Sequence, residues 1–133
     1  MQRFVGKWEL EKSQGFSGLL KQLGVEQKFV EIADNVKNTI EISELQEGQY
    51  KFHCENSVQN SDDVFCLGKE FQESSPDGRI LTSKITLDND TMRHEQIREG
   101  QKILILRTIE NGKMKTIAQF GDCVCERWYK KLQ

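Results

Sequence analysis

The stretch Phe4-Val5-Gly6-Lys7-Trp8-Glu9-Leu10-Glu11-Lys12-Ser13-Gln14-Gly15-Phe16-Ser17-Gly18-Leu19-Leu20-Lys21-Gln22-Leu23-Gly24 carries two different periodicities back to back. Phe4, Gly6, Trp8 and Leu10 alternate with Lys7, Glu9 and Glu11. That is the period-two pattern of a strand with one buried face. From Phe16 the period changes: Phe16, Leu19, Leu20 and Leu23 fall at the spacing of one helical face, and Gly24 reads as a helix stop. Val25, Phe29, Ile32, Ala33 and Val36 keep helical spacing, so a second short helix follows. A helical hairpin of this size cannot bury a core of its own and must cover another layer.

Outward from this segment the chain is punctuated by turns. Gly48, Gly68, Gly78, Gly100, Gly112 and Gly121, with Asp88-Asn89-Asp90, separate short stretches rich in Ile, Val, Thr, Phe and Tyr. Repeated short strands at such spacing predict an all-β barrel or sandwich. Pro76, the one proline, stands beside Asp77-Gly78 in a turn and leaves the strands free to pair. The expected order is a strand, a helix-turn-helix and roughly nine strands in hairpin succession. No linker interrupts it, so residues 1–133 are expected to form a single domain.

Composition excludes several classes. With 19 Lys+Arg against 21 Asp+Glu the net charge is −2, which lacks the basic footprint of a nucleic-acid binder. The longest apolar run, Ile103-Leu104-Ile105-Leu106, is far short of the ~20 residues of a membrane span. Met1 to Lys7 shows no apolar signal region, so a cytoplasmic location is expected, where thiols stay reduced. Cys54, Cys66, Cys123 and Cys125 have no metal-binding spacing with His53 or His94 and are read as structural thiols; no metal and no cofactor is expected. No nucleophile-and-base set and no phosphate-binding glycine loop is present, so no catalytic residue is assigned. His94-Glu95 cannot act as a pair, because neighbours on a strand face opposite sides.

Gly6-x-Trp8-x-Leu10, Gly15-Phe16-Ser17-x-Leu19-Leu20, Leu23-Gly24-Val25, Phe65-x-Leu67-Gly68-x-x-Phe71 and Val124-Cys125-x-Arg127-x-Tyr129 run in this order through the whole chain. In order, spacing and total length this resembles the intracellular fatty-acid-binding protein family. The resemblance implies a ten-stranded antiparallel β-barrel, or β-clam, with a helix-turn-helix portal lid after the first strand and a ligand cavity inside. It also implies a non-enzymatic carrier of long-chain fatty acids, retinoids or similar lipids.

Two arginines carry the chemistry. Arg107 ends the apolar run and precedes Thr108-Ile109, in a strand apolar on both faces. There it either serves a buried function or snorkels to water from a strand end or pairs with a local Glu. On the last strand, parity leaves two faces open: Cys123, Cys125, Arg127 and Tyr129, or Val124, Glu126, Trp128 and Lys130. The resemblance implies that Arg107, Arg127 and Tyr129 point inward and hold the ligand's carboxylate. In simple hairpin order the two arginines flank one strand, about 10 Å apart, with Thr116 and Ala118 between them on its inner phase. A planar, permanently charged fork suits carboxylate, and a phenol adds a donor. No residue is identified that neutralises both guanidiniums without ligand. By the same resemblance Phe16, Phe52, Val58, Phe71, Ile105 and Phe120 line the tail, with Asp77 and Arg79 near its exit.

Ser17 and Asp63 depart from the family pattern, and Asp63 stands where an apolar, cavity-facing residue is usual. Around the second helix Lys28, with Lys21 before it, is outweighed by Glu26, Glu31 and Asp34, so membrane contact through the portal is expected to be transient and only weakly driven by anionic lipid. The ligand read from these residues is a long-chain fatty acid or similar anionic lipid, bound by a monomer. Retinoic acid or another hydrophobic anion is the alternative. A different class is a protein-interaction module on the same barrel, anchored by Trp128.

Overall fold

Strand β1 (Gly6–Gln14) leads through Gly15 into helix α1 (Phe16–Leu23) and helix α2 (Gln27–Ala33). Nine further strands follow: β2 (Asn38–Gln46), β3 (Gln49–Asn56), β4 (Asn60–Cys66), β5 (Glu70–Ser74), β6 (Ile80–Asp88), β7 (Thr91–Arg98), β8 (Gln101–Glu110), β9 (Lys113–Phe120) and β10 (Cys123–Lys131). The computed structural model describes residues 1–33, 37–56, 60–74 and 79–132; Asp34, Val36, Val58, Pro76, Asp77 and Gly78 lie outside them.

The first helix starts and stops on glycines. Gly15 has φ 79°, and a Cβ there would lie 2.6 Å from the Val124 carbonyl oxygen, so β10 reaches α1 only past a residue without a side chain. Gly24, at φ 80°, donates to the Lys21 carbonyl while Val25 donates to that of Leu20, both at 3.1 Å. This is the Schellman termination, which satisfies carbonyls left over at the helix end.

All ten strands belong to one antiparallel sheet in the order β4-β3-β2-β1-β10-β9-β8-β7-β6-β5, wrapped into a nearly closed barrel. The first strand joins the last: β1 pairs with β10 as well as β2, and a bulge at Glu11 between the Leu10 and Lys12 pairings bends it from one partner to the other. Consecutive β4 and β5 are the sheet's two ends, and no ladder joins them.

Two apolar clusters fill the barrel. Phe4, Trp8, Ile42, Phe65, Ile85, Met92 and Met114 form the larger, fully buried one, and Trp8 Nε1 donates to the Phe4 carbonyl at 2.9 Å. Leu19 and Leu23 of α1 pack on Ile103, Ala118 and Cys125 in the second, so the lid's apolar stripe is buried against the mouth of the barrel. A cavity of about 230 Å³ is walled by residues of both clusters.

Candidate functional site

The row of inward residues across β8, β9 and β10 is set by register. Thr116 is paired with Arg107 on one side and Arg127 on the other; one step toward the lid Ala118 is paired with Ile105 and Cys125. Period-two alternation then points Arg107, Thr116, Ala118, Cys125, Arg127 and Tyr129 into the cavity, together with Phe16 of α1, Phe52 of β3 and Ile105 of β8. The outer phase of β10 is distinct. Val124 is exposed, and Trp128 lies half-buried on the outside with Nε1 donating to Glu126 at 2.8 Å and Lys115 Nζ 5.3 Å from its ring.

Arg107 is only 6% exposed, and its guanidinium carbon lies 4.9 Å from the centre of the Phe52 ring. Arg127 stacks on Phe16 at 4.1 Å, which ties the start of the lid to the arginine row. Tyr129 is buried; its hydroxyl accepts a hydrogen bond from Asn38 Nδ2 at 3.2 Å, and Asn38 Oδ1 accepts from the Cys54 thiol at 2.9 Å. Burial pushes the Tyr129 phenol and the Cys54 thiol above their ordinary ranges, so both stay protonated donors. Among the described residues Arg107 Nε, Thr116 Oγ1 and Arg127 Nε are buried with no hydrogen-bond partner. Orphaned buried polar atoms are costly, and three in one row face the same space.

Several expectations need amending. Phe71, Arg79 and Phe120 do not line the cavity. Phe71 is stacked on Phe65 at 5.5 Å, and Phe120, at the end of β9, packs at the edge of the lid cluster. Arg79 donates to Glu99 and to the Gly24 carbonyl, both at 3.1 Å, so it ties the chain before β6 to the helical hairpin. Val58 and Asp77 fall outside the described residues.

The sequence identifies no residue that neutralises both guanidiniums; among the described residues, the structure gives Arg107 alone such a connection. Its Nη1 lies 3.0 Å from Nδ1 of His94, and His94 Nε2 lies 2.7 Å from Oε1 of Glu73. Glu73 also accepts from Ser83 and from Gln96 Nε2. Burial alone would raise its carboxyl, but these hydrogen bonds outweigh burial and hold it down at about 2. Burial foremost keeps His94 below its ordinary range and therefore neutral. Glu95, on the opposite face of β7, pairs with Arg93 and Lys102 instead. Glu73, His94, Asn38 and Cys54 were not singled out as site residues from sequence. The inward phase of Met92-x-His94-x-Gln96 on β7 is the signal that finds His94.

Asp63 does face the cavity and makes no hydrogen bond or ion pair among the described residues. Burial first, then the charges of Glu73 and Asp62, push its carboxyl up to about 6.

No protein-family model matches the chain. It is 33% identical over 132 residues to fatty acid-binding protein homolog 1 of Echinococcus granulosus, covering 99% of each chain. Identity to human fatty acid-binding protein 9 is 35% over 129 residues, 97% of each. The crystal structure of the Echinococcus granulosus protein superimposes with a TM-score of 0.97 over 100% of both chains. A Schistosoma mansoni fatty acid binding protein in complex with arachidonic acid has a TM-score of 0.94 at 28% identity, covering 100% of this chain and 98% of that one.

Proposed function

The chain belongs to the fatty-acid-binding protein family, and from that premise we propose that it binds a long-chain fatty acid non-covalently in its cavity and carries it through the cytoplasm, as a monomer of one domain and without catalysis. The observation that carries this reading is the row Arg107–Thr116–Arg127, with a buried atom left unpartnered on each residue and the Tyr129 hydroxyl two residues beyond. Two guanidinium forks and two hydroxyls form a receptor for one carboxylate. The acyl chain then lies along Phe16, Phe52 and Ile105 beneath α1. About fourteen buried methylenes at ~0.8 kcal/mol each contribute ~11 kcal/mol before ordering costs, so the tail supplies affinity and the arginines supply the choice of an acid.

Competition against a fluorescent anionic lipid probe tests it. Palmitate is expected to bind at least about tenfold more tightly than hexadecanol, since a charge-assisted hydrogen bond contributes ~1.5–3 kcal/mol. Equal affinities would remove the carboxylate assignment. Arg127→Leu is expected to weaken palmitate while leaving the apo protein as stable or about 1–2 kcal/mol more so, because a partly buried charge is replaced by apolar volume. A less stable variant that binds palmitate normally would make Arg127 scaffolding.

A further inference from the structure

Glu73, His94 and Arg107 stand on β5, β7 and β8 and form one continuous hydrogen-bonded line inside the barrel. His94 and Arg107 are diagonal neighbours, since Arg107 is paired with Met92, two residues from His94 on the same face of β7. The line is buried along its length: side-chain exposure is 4% at His94 and 12% at Glu73, and Arg107 is 6% exposed. Apolar side chains enclose the imidazole, with Ile85 and Ile105 as its cross-strand partners and the Phe71 ring centre 6.1 Å away.

The chemistry of the two ends leaves one arrangement of protons. A guanidinium has five N–H donors and no acceptor, so His94 Nδ1, at 3.0 Å from Arg107 Nη1, must present a lone pair. A neutral imidazole then carries its hydrogen on Nε2, where Glu73 Oε1 accepts it at 2.7 Å. The opposite tautomer would aim an N–H at a guanidinium N–H and a lone pair at a carboxylate. Ser83 and Gln96 both donate to the same Glu73 oxygen, so that oxygen is held as an acceptor.

We propose that Glu73 and His94 are positioning residues for ligand selection: Glu73 locks His94 as the Nε2–H tautomer, the imidazole thereby becomes an acceptor that engages Nη1 of Arg107, and the guanidinium is left with Nε free for the ligand's carboxylate. The proposal rests on the carboxylate-anchor reading and extends it from the residues that touch the ligand to those that aim them. Phe52 supports one face of the guanidinium and His94 takes one of its nitrogens, so the fork does not have to be ordered when the ligand arrives. Preorganisation of this kind raises affinity by removing a binding cost, and only for ligands that use the fork. An alcohol, which has no carboxylate to fill it, gains little.

Three variants and one spectrum test this. Long-range proton–nitrogen NMR of the wild-type protein at pH 7 is expected to show His94 with Nε2 protonated and Nδ1 bare. Glu73→Gln keeps the shape but offers an amide N–H that permits the other tautomer. Its palmitate-over-hexadecanol preference is expected to fall from about tenfold or more to about threefold or less, with hexadecanol affinity held. His94→Leu removes both contacts and is expected to do the same. In His94→Gln the amide oxygen accepts from Arg107 and the amide N–H donates to Glu73, so the preference is expected to return. A merely structural role would weaken both ligands together and would not be rescued by glutamine. If Glu73→Gln is too unstable to titrate, the comparison of His94→Leu with His94→Gln carries the test. Variants that keep the full preference, or a wild-type His94 protonated at Nδ1, overturn the proposal. Absence of any preference in the wild-type protein instead overturns the carboxylate-anchor reading itself.

Discussion

Glu73 and Asp63 are carboxyls in the wall of one cavity, on the two strands that flank the unpaired gap in the barrel, and they end in opposite states. Glu73 is deeply buried and held ionised; Asp63 is only partly buried and pushed up to about 6. Depth alone would order them the other way. The difference lies in donors: Glu73 accepts from His94, Ser83 and Gln96, whereas Asp63 is paired across the ladder with Phe52 and accepts from none of the described residues. A buried carboxyl keeps its charge where the fold has aimed N–H and O–H groups at it, and there it can serve as counter-ion to a distant guanidinium.

The strongest way to break the comparison is to remove the supported charge. Glu73→Leu leaves Arg107 buried without its counter-ion and strips acceptors from His94 and Ser83. It is expected to destabilise the apo protein by about 3–5 kcal/mol in urea melts at pH 7. A loss below about 1 kcal/mol, the size of an exposed pair, would show that Glu73 is not the counter-ion.

Removing one donor is a milder break. Ser83, 1% exposed, is one of the three groups holding Glu73, and Ser83→Ala is expected to cost about 1.5 kcal/mol. The sign with pH follows. Glu73's folded pKa lies below its unfolded value, so its stabilisation is present above pH ~4.5 and is lost as pH falls toward about 2. In Ser83→Ala the folded pKa rises toward the unfolded one, so the acid loss is expected to be smaller and to be complete at a higher pH, read from urea midpoints across an acid series.

The smallest effect sharpens the other side. Asp63's folded pKa lies above its unfolded value, so the charged form is disfavoured in the fold. Its cost is absent below pH ~4 and complete above ~6. Asp63→Asn is therefore expected to stabilise the protein by about 1 kcal/mol at pH 7, after allowance for solvent at a partly buried carboxyl, and to match wild type near pH ~4. An equal gain at both pH values would mean that ionisation is not the cause.

Much of this was legible in the chain. The switch from period two to helical spacing at Phe16, and Gly24 as the stop, read directly onto β1 and α1 because the burial of one face and the ending of a helix are local problems with local solutions. The turn glycines marked the strand boundaries for the same reason. Arg107, Thr116 and Arg127 were named from motif and phase, but whether Arg127 or Trp128 pointed inward was undecided by parity, since both phases of β10 mix charged and aromatic groups. The partners of Arg79 and Phe71, Glu99 with the Gly24 carbonyl and Phe65, were not legible because they are chosen across the fold.

By itself the sequence determined the order of elements, the barrel's alternation of faces and the identity of the charged groups, all of which depend on spacings of a few residues. Only the tertiary structure decided which of those charges would survive burial. Glu73, His94 and Arg107 come from three strands, 21 and 13 residues apart along the chain, and a proton's position on the imidazole depends on both neighbours at once. Hydrogen bonds of that kind act over about 3 Å, and closeness on that scale between strands exists only after the sheet has closed and set its register.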